Sequence, residues 1–501
     1  MTSPTDQPRS TKVAWICATI TAALGATILF AAEPGINWPI WVAFASGSLI
    51  LARYSAIGRV ETPLLILCAW ATVLSFGFAL TRTDPFPFFI ILADAMLLGL
   101  AVITLGAERW GDLSARLLAA VPFLAPLRVF GSSAQEVAAA PRSVASPRSR
   151  ALIRGGLITV PLVIILVALL ASADPIISWG TERITSWLPD WSFPPRLVFF
   201  LFLLALTLGA NALGIRQFAL RLPQFPTSAV RVSIGMTEQR MVLWSAAVIL
   251  WLFVALQVSY FVHPPPASLG TGVTFAEFAR RGFGELSFAV TIVGAIIIIL
   301  EYARPADLTP RDRATLRRLD FALLIALELI LVMAFRRVLL YEDAYGFTEA
   351  RLFAQVYMLV IGLALAALAW EISRGSISVS FGRRVAELAL GAFTVLAFWN
   401  FQSWIVNRNV DRVTSGGKFD AFYLATLSLD ATPTLIKRLP EIPQPQRDTI
   451  ALRLACRRPL AETRWFEWNR SVEGAREALR TWTPPACPTR AKRFTPPAID
   501  D

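Results

Sequence analysis

The residues of this chain best suited to chemistry are arginines and carboxylates in a short polar segment, residues 274–286. The segment reads TFAEFARRGFGEL, and Glu277 precedes Arg280 and Arg281 by three and four residues. Glu285 follows Arg281 at the same helical spacing. Residues three or four apart on a helix are neighbours, so these charges can pair. A guanidinium also offers paired donors that fit a carboxylate or a phosphate.

A second polar segment, residues 335–353, reads FRRVLLYEDAYGFTEARLF and carries Arg336, Arg337 and Arg351. Two interpretations are open. The arginines can anchor helix ends among lipid headgroups and form local salt bridges. Alternatively, the two polar segments shape one charged pocket on the outer face. The candidate binding residues of that pocket are Gln257, Tyr260, Glu277, Arg280, Arg281, Glu285, Arg336, Arg337, Tyr341, Tyr345 and Arg351.

Two carboxylates, Asp94 and Glu328, fall inside long apolar runs. A charge at bilayer depth costs at least about 2.5 kcal/mol, so each must face protein or water. They are therefore candidates for a proton or ion pathway. The alternative is an interhelical hydrogen bond or a carboxyl kept protonated, and the sequence does not decide between the two.

Motifs for most familiar catalytic sites are missing. The chain has one histidine, His263, which excludes histidine-rich metal sites and makes a Ser-His-Asp triad unexpected. It has neither a GxxxxGK[ST] phosphate loop nor a GxSxG nucleophile turn. We therefore predict no catalytic residue, no metal site and no cofactor, which favours a non-enzymatic role.

The element that must position these residues is the membrane-spanning helix. Hydrophobic residues make up 55% of the 501, charged residues 16%, and the mean hydropathy is +0.57. Soluble domains carry about a quarter charged residues, and a helix needs about 17–25 apolar residues to cross a bilayer. We predict an all-α, polytopic membrane protein with about eleven spans, at 13–32, 36–52, 62–80, 86–106, 155–173, 197–215, 241–261, 285–301, 319–335, 354–370 and 385–401.

The basic residues alternate between the two sides of these spans. If the N-terminus is cytoplasmic, the inside segments hold 23 basic residues and the outside loops between spans hold eight. This asymmetry follows the positive-inside rule. It predicts a multi-pass protein of the bacterial cytoplasmic membrane with its N-terminus inside and its C-terminus outside. The net charge of +12 then needs no nucleic-acid partner.

Composition predicts four regions along the chain. Residues 1–106 hold the first four spans, and residues 155–401 hold the other seven. Between them, residues 107–154 begin as an apolar, basic stretch typical of an interfacial helix and continue as a Ser/Ala/Pro-rich linker. Residues 402–501 predict a small helical domain outside the membrane with a proline-rich tail.

Four cysteines divide between the membrane and the C-terminal region. Cys17 and Cys68 lie in predicted spans and are expected to be apolar filler. Cys456 and Cys487 both lie in the region predicted to be outside, where thiols oxidise. We predict a Cys456–Cys487 disulfide that ties the proline-rich tail to the helix before it.

Several of these segments resemble a bacterial multi-pass membrane family known as domain of unknown function 4173, which is related to 4153. The resemblance covers residues 240–436 and rests on LQVSYF, TFAEFARRGFGEL, RVLLYEDAYGFTEARLF, NFQSWIVNRNVDR and DAFYLATLSLDATPTL. It implies a multi-pass fold and no particular activity. The matching residues are Gln257, Tyr260, Glu277, Arg280, Arg281, Gly282, Glu285, Arg337, Tyr341, Tyr345, Gly346, Thr348, Arg351, Asn400, Asn409, Asp420, Tyr423, Asp430 and Pro433.

Three functions remain open from the sequence. The leading interpretation is an envelope protein whose outer-face pocket and C-terminal domain bind a lipid, a peptide or a partner protein. The second is a proton-coupled secondary transporter that uses Asp94 and Glu328. The third is a transferase acting on lipid-linked substrates, which usually needs a catalytic carboxylate in a large first outer loop. Here that loop is the short AEPGIN.

Overall fold

The computed structural model describes residues 7–105, 115–139, 193–216, 234–262, 283–305, 307–417, 420–456 and 462–487. Within these ranges every regular element is helical and no strand occurs. The chain divides into two compact units. The first comprises Met1–Leu222 and Ala461–Glu473, and the second comprises Pro223–Leu460 and Gly474–Asp501. Each unit is described by itself below.

The first unit is built from the apolar runs of the N-terminal part. It contains α1 (Gln7–Ile28), α2 (Asn37–Ile57), α3 (Thr62–Ser75), the short α4 (Gly77–Leu80), α5 (Phe86–Ile103), α6 (Ala115–Ala139) and α7 (Phe193–Ile215). Local signals fix several ends. Gly58 adopts a left-handed φ of 70° to end α2, and Pro63 lies in the first turn of α3, where no backbone donor is needed.

The second unit begins with the remaining apolar helices and continues into shorter polar ones. It contains α8 (Met236–Val262), α9 (Phe283–Tyr302), α10 (Pro310–Tyr345), α11 (Glu349–Ser373), α12 (Phe381–Phe398), α13 (Phe401–Thr414), α14 (Ala421–Thr426), α15 (Thr432–Arg438) and α16 (Gln446–Ala455). A last helix, α17 (Arg470–Thr481), begins in the segment assigned to the first unit.

Eight of the described helices are long and apolar enough to cross a bilayer, which makes the chain a multi-pass membrane protein. They are Ser10–Ile28, Asn37–Ile57, Thr62–Leu80, Phe86–Ile103, Pro195–Ile215, Met236–Val258, Gly284–Tyr302 and Glu349–Ser373. A ninth span is possible if α12 and α13, which meet at a 67° bend, count as one. The predicted number was eleven.

Three predicted spans account for the difference between eleven and eight, and one of them, 385–401, falls on the bent pair α12 and α13. Span 155–173 lies outside the described residues. Span 319–335 is the middle of α10, which is not among the eight because Asp320, Glu328 and Arg336 interrupt its apolar run. A helix of 36 residues is about 54 Å long at the usual rise, so its polar ends can extend beyond both sides of an apolar layer of about 30 Å.

α10 forms the centre of the second unit. Leu316, Leu323, Leu327, Ile330 and Ala334 recur at three- and four-residue steps or multiples of them, and none is more than 2% exposed. This spacing places them on one face of the helix. Helices α8, α9 and α11 pack against α10. The long helix is therefore the common neighbour around which the others are arranged.

Helix α6 differs from its prediction. An interfacial helix followed by a linker was expected over 107–154, but the helix runs on to Ala139 and packs against α7. Two observations explain the extension. Gly209 lets the helices approach so closely that a Cβ there would lie 2.0 Å from the Val129 carbonyl oxygen. Arg216 also pairs with Glu136 at 2.6 Å.

The C-terminal region does not form one body. Residues 402–501 were predicted as a single outer domain, but Ala461–Glu473 clusters with the first unit. Ile36 donates its backbone N–H to the Trp468 carbonyl at 2.9 Å. The amide of the buried Asn469 donates to the Phe78 carbonyl at 2.7 Å. The same amide also donates to the Thr81 carbonyl at 3.3 Å. The segment thus supplies partners to backbone groups in the connection after α1, in α4 and directly after α4.

Glu467 is the charged centre of this attachment. Its carboxylate accepts hydrogen bonds from the Glu33 backbone N–H at 3.0 Å and from the Arg464 guanidinium, and its side chain is buried. These hydrogen bonds, the one from Arg464 first, lower the pKa of Glu467 to about 2. The carboxylate is therefore ionised at neutral pH.

In the second unit, Cys456 at the end of α16 is joined to Cys487 by a disulfide, with 5.2 Å between the Cα atoms. Cys68 is buried and Cys17 is partly buried, and both lie in helices of the first unit. The bond fixes residue 487 beside α16.

Replacing Glu467 with glutamine should lower the thermal unfolding midpoint at pH 7, because a neutral amide loses the charge-assisted bonds to Arg464 and Glu33. The pKa of Glu467 is about 2 in the folded chain and ordinarily 4.5. Its contribution to the free energy of unfolding is therefore fully present above about pH 4.5 and is lost as the pH falls toward 2. The difference in unfolding midpoint between wild type and variant should become smaller over that pH range. Tryptophan fluorescence in nonionic detergent would measure it.

Glu462→Gln is the matched control, since Glu462 lies exposed in the same segment. An equal loss of stability in this control, or a difference that does not change with pH, would contradict the assignment to Glu467.

Candidate functional site

The candidate site lies at the turn that joins α10 to α11. Gly346 ends α10 with a left-handed φ of 85° and donates its N–H to the Glu342 carbonyl at 2.7 Å. Two residues later Thr348 caps α11, its hydroxyl accepting from the Arg351 N–H at 3.4 Å. Glycine at a helix end and threonine at a helix start are the residues expected at such a turn.

One amide of α13 holds this turn. The Asn409 side chain is 3% exposed. Its Oδ1 accepts from the Phe347 N–H, and its Nδ2 donates to the Phe347 carbonyl, both at 2.9 Å. The amide therefore satisfies both backbone groups of the residue between the two helices. A Cβ on Gly346 would lie 2.3 Å from Asn409 Oδ1, so this close approach also requires glycine.

Arg412, one turn after Asn409, binds the end of α10. Its Nε donates to the Asp343 carbonyl at 3.0 Å, and its Nη2 donates to the Ala344 carbonyl at 2.7 Å. The last carbonyls of a helix have no partner within it and carry partial negative charge. The Arg412 guanidinium supplies both the hydrogen-bond donors and the positive charge that favour the end of α10.

Arg351 also belongs to the turn. Its guanidinium lies 4.1 Å from the centre of the Tyr341 ring and donates to the Gly346 carbonyl. The rings of Tyr341 and Tyr345 lie 4.8 Å apart. Three of the predicted pocket residues are thus brought together, and their contacts stabilise the turn.

The start of α11 is held by α13 and α14. The Tyr423 hydroxyl accepts from the Glu349 N–H at 2.8 Å, and Gln402 donates to the Glu349 carboxylate. Burial raises the pKa of Tyr423 to about 12, so its phenol stays protonated at neutral pH. Gln402 in turn accepts from the Ser428 N–H at 2.9 Å, which links this contact to the next segment.

Glu342 is the buried carboxyl of the site, with 2% exposure. Gln355 donates to its Oε2 at 2.7 Å. Its Oε1 has no hydrogen-bond partner among the described residues. Burial raises the pKa of Glu342, and the bond from Gln355 opposes the rise. The group is therefore easier to protonate than an exposed glutamate.

The segments 400–412 and 420–435, singled out in the sequence, contact each other directly. Asn400 caps α13 by accepting from the Ser403 N–H at 3.0 Å, and its Nδ2 donates to the Asp430 carbonyl at 3.0 Å. Asp420 caps α14 by accepting from the Tyr423 N–H at 3.0 Å. These polar residues hold short helices together.

The remaining predicted pocket residues lie near the ends of α8, α9 and α10. Arg337 Nη2 donates to Gln257 Oε1 at 2.7 Å, so the ends of α8 and α10 are joined. Arg336 is exposed on the same turn of α10, and Glu285 is exposed in the first turn of α9. Tyr260 lies in α8. Glu277, Arg280 and Arg281 lie outside the described residues.

The two intramembrane carboxylates belong to different units. In the first unit Asp94 is 1% exposed, and Trp38 donates its indole N–H to Asp94 Oδ2 at 2.7 Å. Its Oδ1 meets no hydrogen-bond partner in the part of the chain that the structure describes. In the second unit Glu328 lies against Gly362 of α11, where a Cβ would be 3.5 Å from Glu328 Oε2. Both interpretations of these groups stay open.

Four side chains that hold the turn were not predicted as site residues: Gln402, Asn409, Arg412 and Tyr423. Asn409 and Tyr423 entered only through the family resemblance. One signal in the sequence could have found them, namely a run of amide and arginine residues directly after the last apolar stretch. Within the described ranges no three histidine, cysteine, aspartate or glutamate side chains group as metal ligands.

Comparison with known families gives one match. The family model described as Domain of unknown function (DUF4153) matches residues 65–438. This family is the relative of the one that the sequence motifs suggested. The match begins in α3, whereas the resemblance of the motifs began near residue 240. No curated protein and no solved structure gave a match.

Replacing Asn409 with alanine should destabilise the second unit by about 2 kcal/mol, because it leaves the partly buried N–H and carbonyl of Phe347 without their partner. Unfolding in mixed detergent micelles, followed by circular dichroism, would measure the change. Asn407→Ala in the same helix is the matched control. Within the described ranges the Asn407 side chain accepts from Arg438 alone, and Arg438 also contacts Asp411 and Glu441, so a small effect is expected. Equal losses in the two variants would contradict the role of Asn409.

Proposed function

Because the chain belongs to the DUF4153 family, whose domain has no assigned function, we propose a role from its geometry. The protein is a multi-pass binding protein of the bacterial cytoplasmic membrane. It recognises an anionic group, the headgroup of a lipid or the carboxylate of a peptide or partner protein, at the ends of α8 and α10. Membrane lipids and an envelope protein are the expected partners.

The hydrogen bond between Arg337 and Gln257 carries this proposal. It fixes one guanidinium beside a neutral amide, so this bond leaves the positive charge in place. Arg336 is exposed on the adjacent position of the same helix end. Two neighbouring guanidiniums at the end of a membrane helix suit a carboxylate or phosphate, because each can donate two parallel hydrogen bonds.

The shape of the turn supports a binding role over a catalytic one. Asn409 and Arg412 direct their donors to backbone carbonyls, and Arg351 contacts Gly346 and Tyr341. These contacts form a rigid support. A rigid support at the end of the helix that carries the exposed Arg336 is what a preorganised binding surface requires.

Two observations support the proposed orientation. The positive-inside rule places the connections after the first and third predicted spans outside. In the first unit, the C-terminal segment binds both of those connections, at Ile36 and at Thr81. A C-terminus on the outer side satisfies both observations together, with the N-terminus in the cytoplasm.

Exposed serines on opposite sides test this orientation. Ser415→Cys should react with a membrane-impermeant maleimide on intact spheroplasts, whereas Ser376→Cys should react only after permeabilisation, because the proposal puts them outside and inside. Both serines are exposed in the structure, so they form a matched pair. The opposite labelling pattern would overturn the orientation.

The binding site is tested by what the protein retains during purification in mild detergent. The double variant Arg336→Gln/Arg337→Gln should keep at least about tenfold less of the anionic molecule found with wild type, because a loss of 1.4 kcal/mol is tenfold and two charge-assisted bonds exceed it. Mass spectrometry of the purified protein would identify and quantify that molecule.

Arg408→Gln is the control, since Arg408 is an exposed arginine of α13, not of α8 or α10, and lies 5.5 Å from the centre of the Trp404 ring. If the double variant retains as much as wild type, or if the control loses as much as the double variant, the site is assigned wrongly.

A further inference from the structure

A cavity lined by arginines lies at the other end of α10, within the second unit. Its volume is about 520 Å³. Pockets that hold small molecules are about 300–1,000 Å³. The cavity is formed where α9 ends, α10 begins and α11 ends. Its lining includes Arg304, Arg313, Arg317, Arg318, Phe321 and Ile372.

One of the four arginines is already neutralised. The Arg304 guanidinium pairs with Glu301 at 2.5 Å and with Asp320, and all three side chains are 12% exposed or less. This buried group ties the end of α9 to the start of α10. It forms a fixed wall of the cavity and contributes no net positive charge.

The other three arginines give the cavity an excess of positive charge. Arg313, Arg317 and Arg318 follow one another along the first turns of α10, and all are exposed. Arg317 lies 5.9 Å from the centre of the Phe321 ring. Neither Arg313 nor Arg318 pairs with a carboxylate among the described residues. Three positive charges therefore surround a space that Glu301 alone opposes from the lining.

The cavity lies at the edge of the apolar layer. The spans Gly284–Tyr302 and Glu349–Ser373 both end beside it. Leu308, Phe321 and Ile372 give it apolar walls next to the arginines. Lipid phosphates lie just beyond the ends of spanning helices. The positive charge of the cavity and its depth in the membrane therefore both fit a lipid phosphate. The positive-inside rule explains why arginines occur between the apolar run of α9 and that of α10. It does not explain why they surround a cavity.

We infer that this cavity is a binding site for a phosphate-bearing anion, held by Arg313, Arg317 and Arg318. The phosphate can come from the headgroup of an anionic lipid or from a small soluble phosphate compound, since the same guanidinium chemistry recognises both. The inference does not depend on the outer site at Arg336 and Arg337. In the proposed orientation the lipid would belong to the inner leaflet.

The test uses the full-length protein in nanodiscs. Wild type should be stabilised against heat either by phosphatidylglycerol in the disc or by inorganic phosphate added to discs of neutral lipid. The variant Arg313→Gln/Arg317→Gln/Arg318→Gln should weaken that binding at least about tenfold. Native mass spectrometry of bound phosphatidylglycerol and titration with phosphate would measure affinity in the two arms.

Arg311→Gln is the matched control, because Arg311 is exposed in the same turn of α10 and does not line the cavity. It should bind like wild type. A response to phosphatidylglycerol alone identifies a headgroup site, and a response to phosphate identifies a soluble ligand. No response in either arm, unchanged affinity in the triple variant, or an equal loss in Arg311→Gln would overturn the inference.

Discussion

The pair of hydrogen bonds between the Asn409 amide and the Phe347 backbone is the contact on which the second unit depends. Helices in a membrane protein satisfy their own backbone groups, except where a helix ends and the chain turns. The turn between α10 and α11 is short and partly buried, so its peptide needs a partner from elsewhere. A side-chain amide is suited to this task because it offers one donor and one acceptor, as a peptide does. The tight approach required at Gly346 follows from the same contact.

Arginine serves different purposes at the two ends of α10. At its C-terminal end, Arg351 and Arg412 bind carbonyl groups of the turn, and their charge stabilises the fold. At its N-terminal end, Arg304 is neutralised by two carboxylates while Arg313 and Arg318 line open space. The same residue type is thus structural where carbonyls surround it and available for a ligand where a cavity does. Counting arginines by loop cannot separate these cases, because the partner decides the role.

Local patterns were sufficient to predict much of the architecture. Apolar runs located the helices that can cross a membrane. Gly346 and Thr348, which matched the family motif, lie at the turn between α10 and α11. The sequence did not predict which residues hold that turn, because Asn409 and Tyr423 lie far along the chain from Phe347 and Glu349. The extension of α6 to Ala139 was missed for a related reason: its composition suggests a linker, and only packing against α7 makes it helical. Arg351 was one of the candidate binding residues, and the sequence did not predict that its guanidinium would lie over the Tyr341 ring, because only the fold brings that cation and that ring together.

The attachment of Ala461–Glu473 to the first unit has a consequence for how the protein is made. Phe78 is synthesised 391 residues before its partner Asn469, and Ile36 is likewise made long before its partner Trp468. The first unit therefore cannot complete its packing while translation is in progress, however early its helices insert. A chain that stops short leaves those backbone groups without their partners. Completion of the first unit thus reports that synthesis has passed residue 469, long after α7, the last of its apolar helices, has been made.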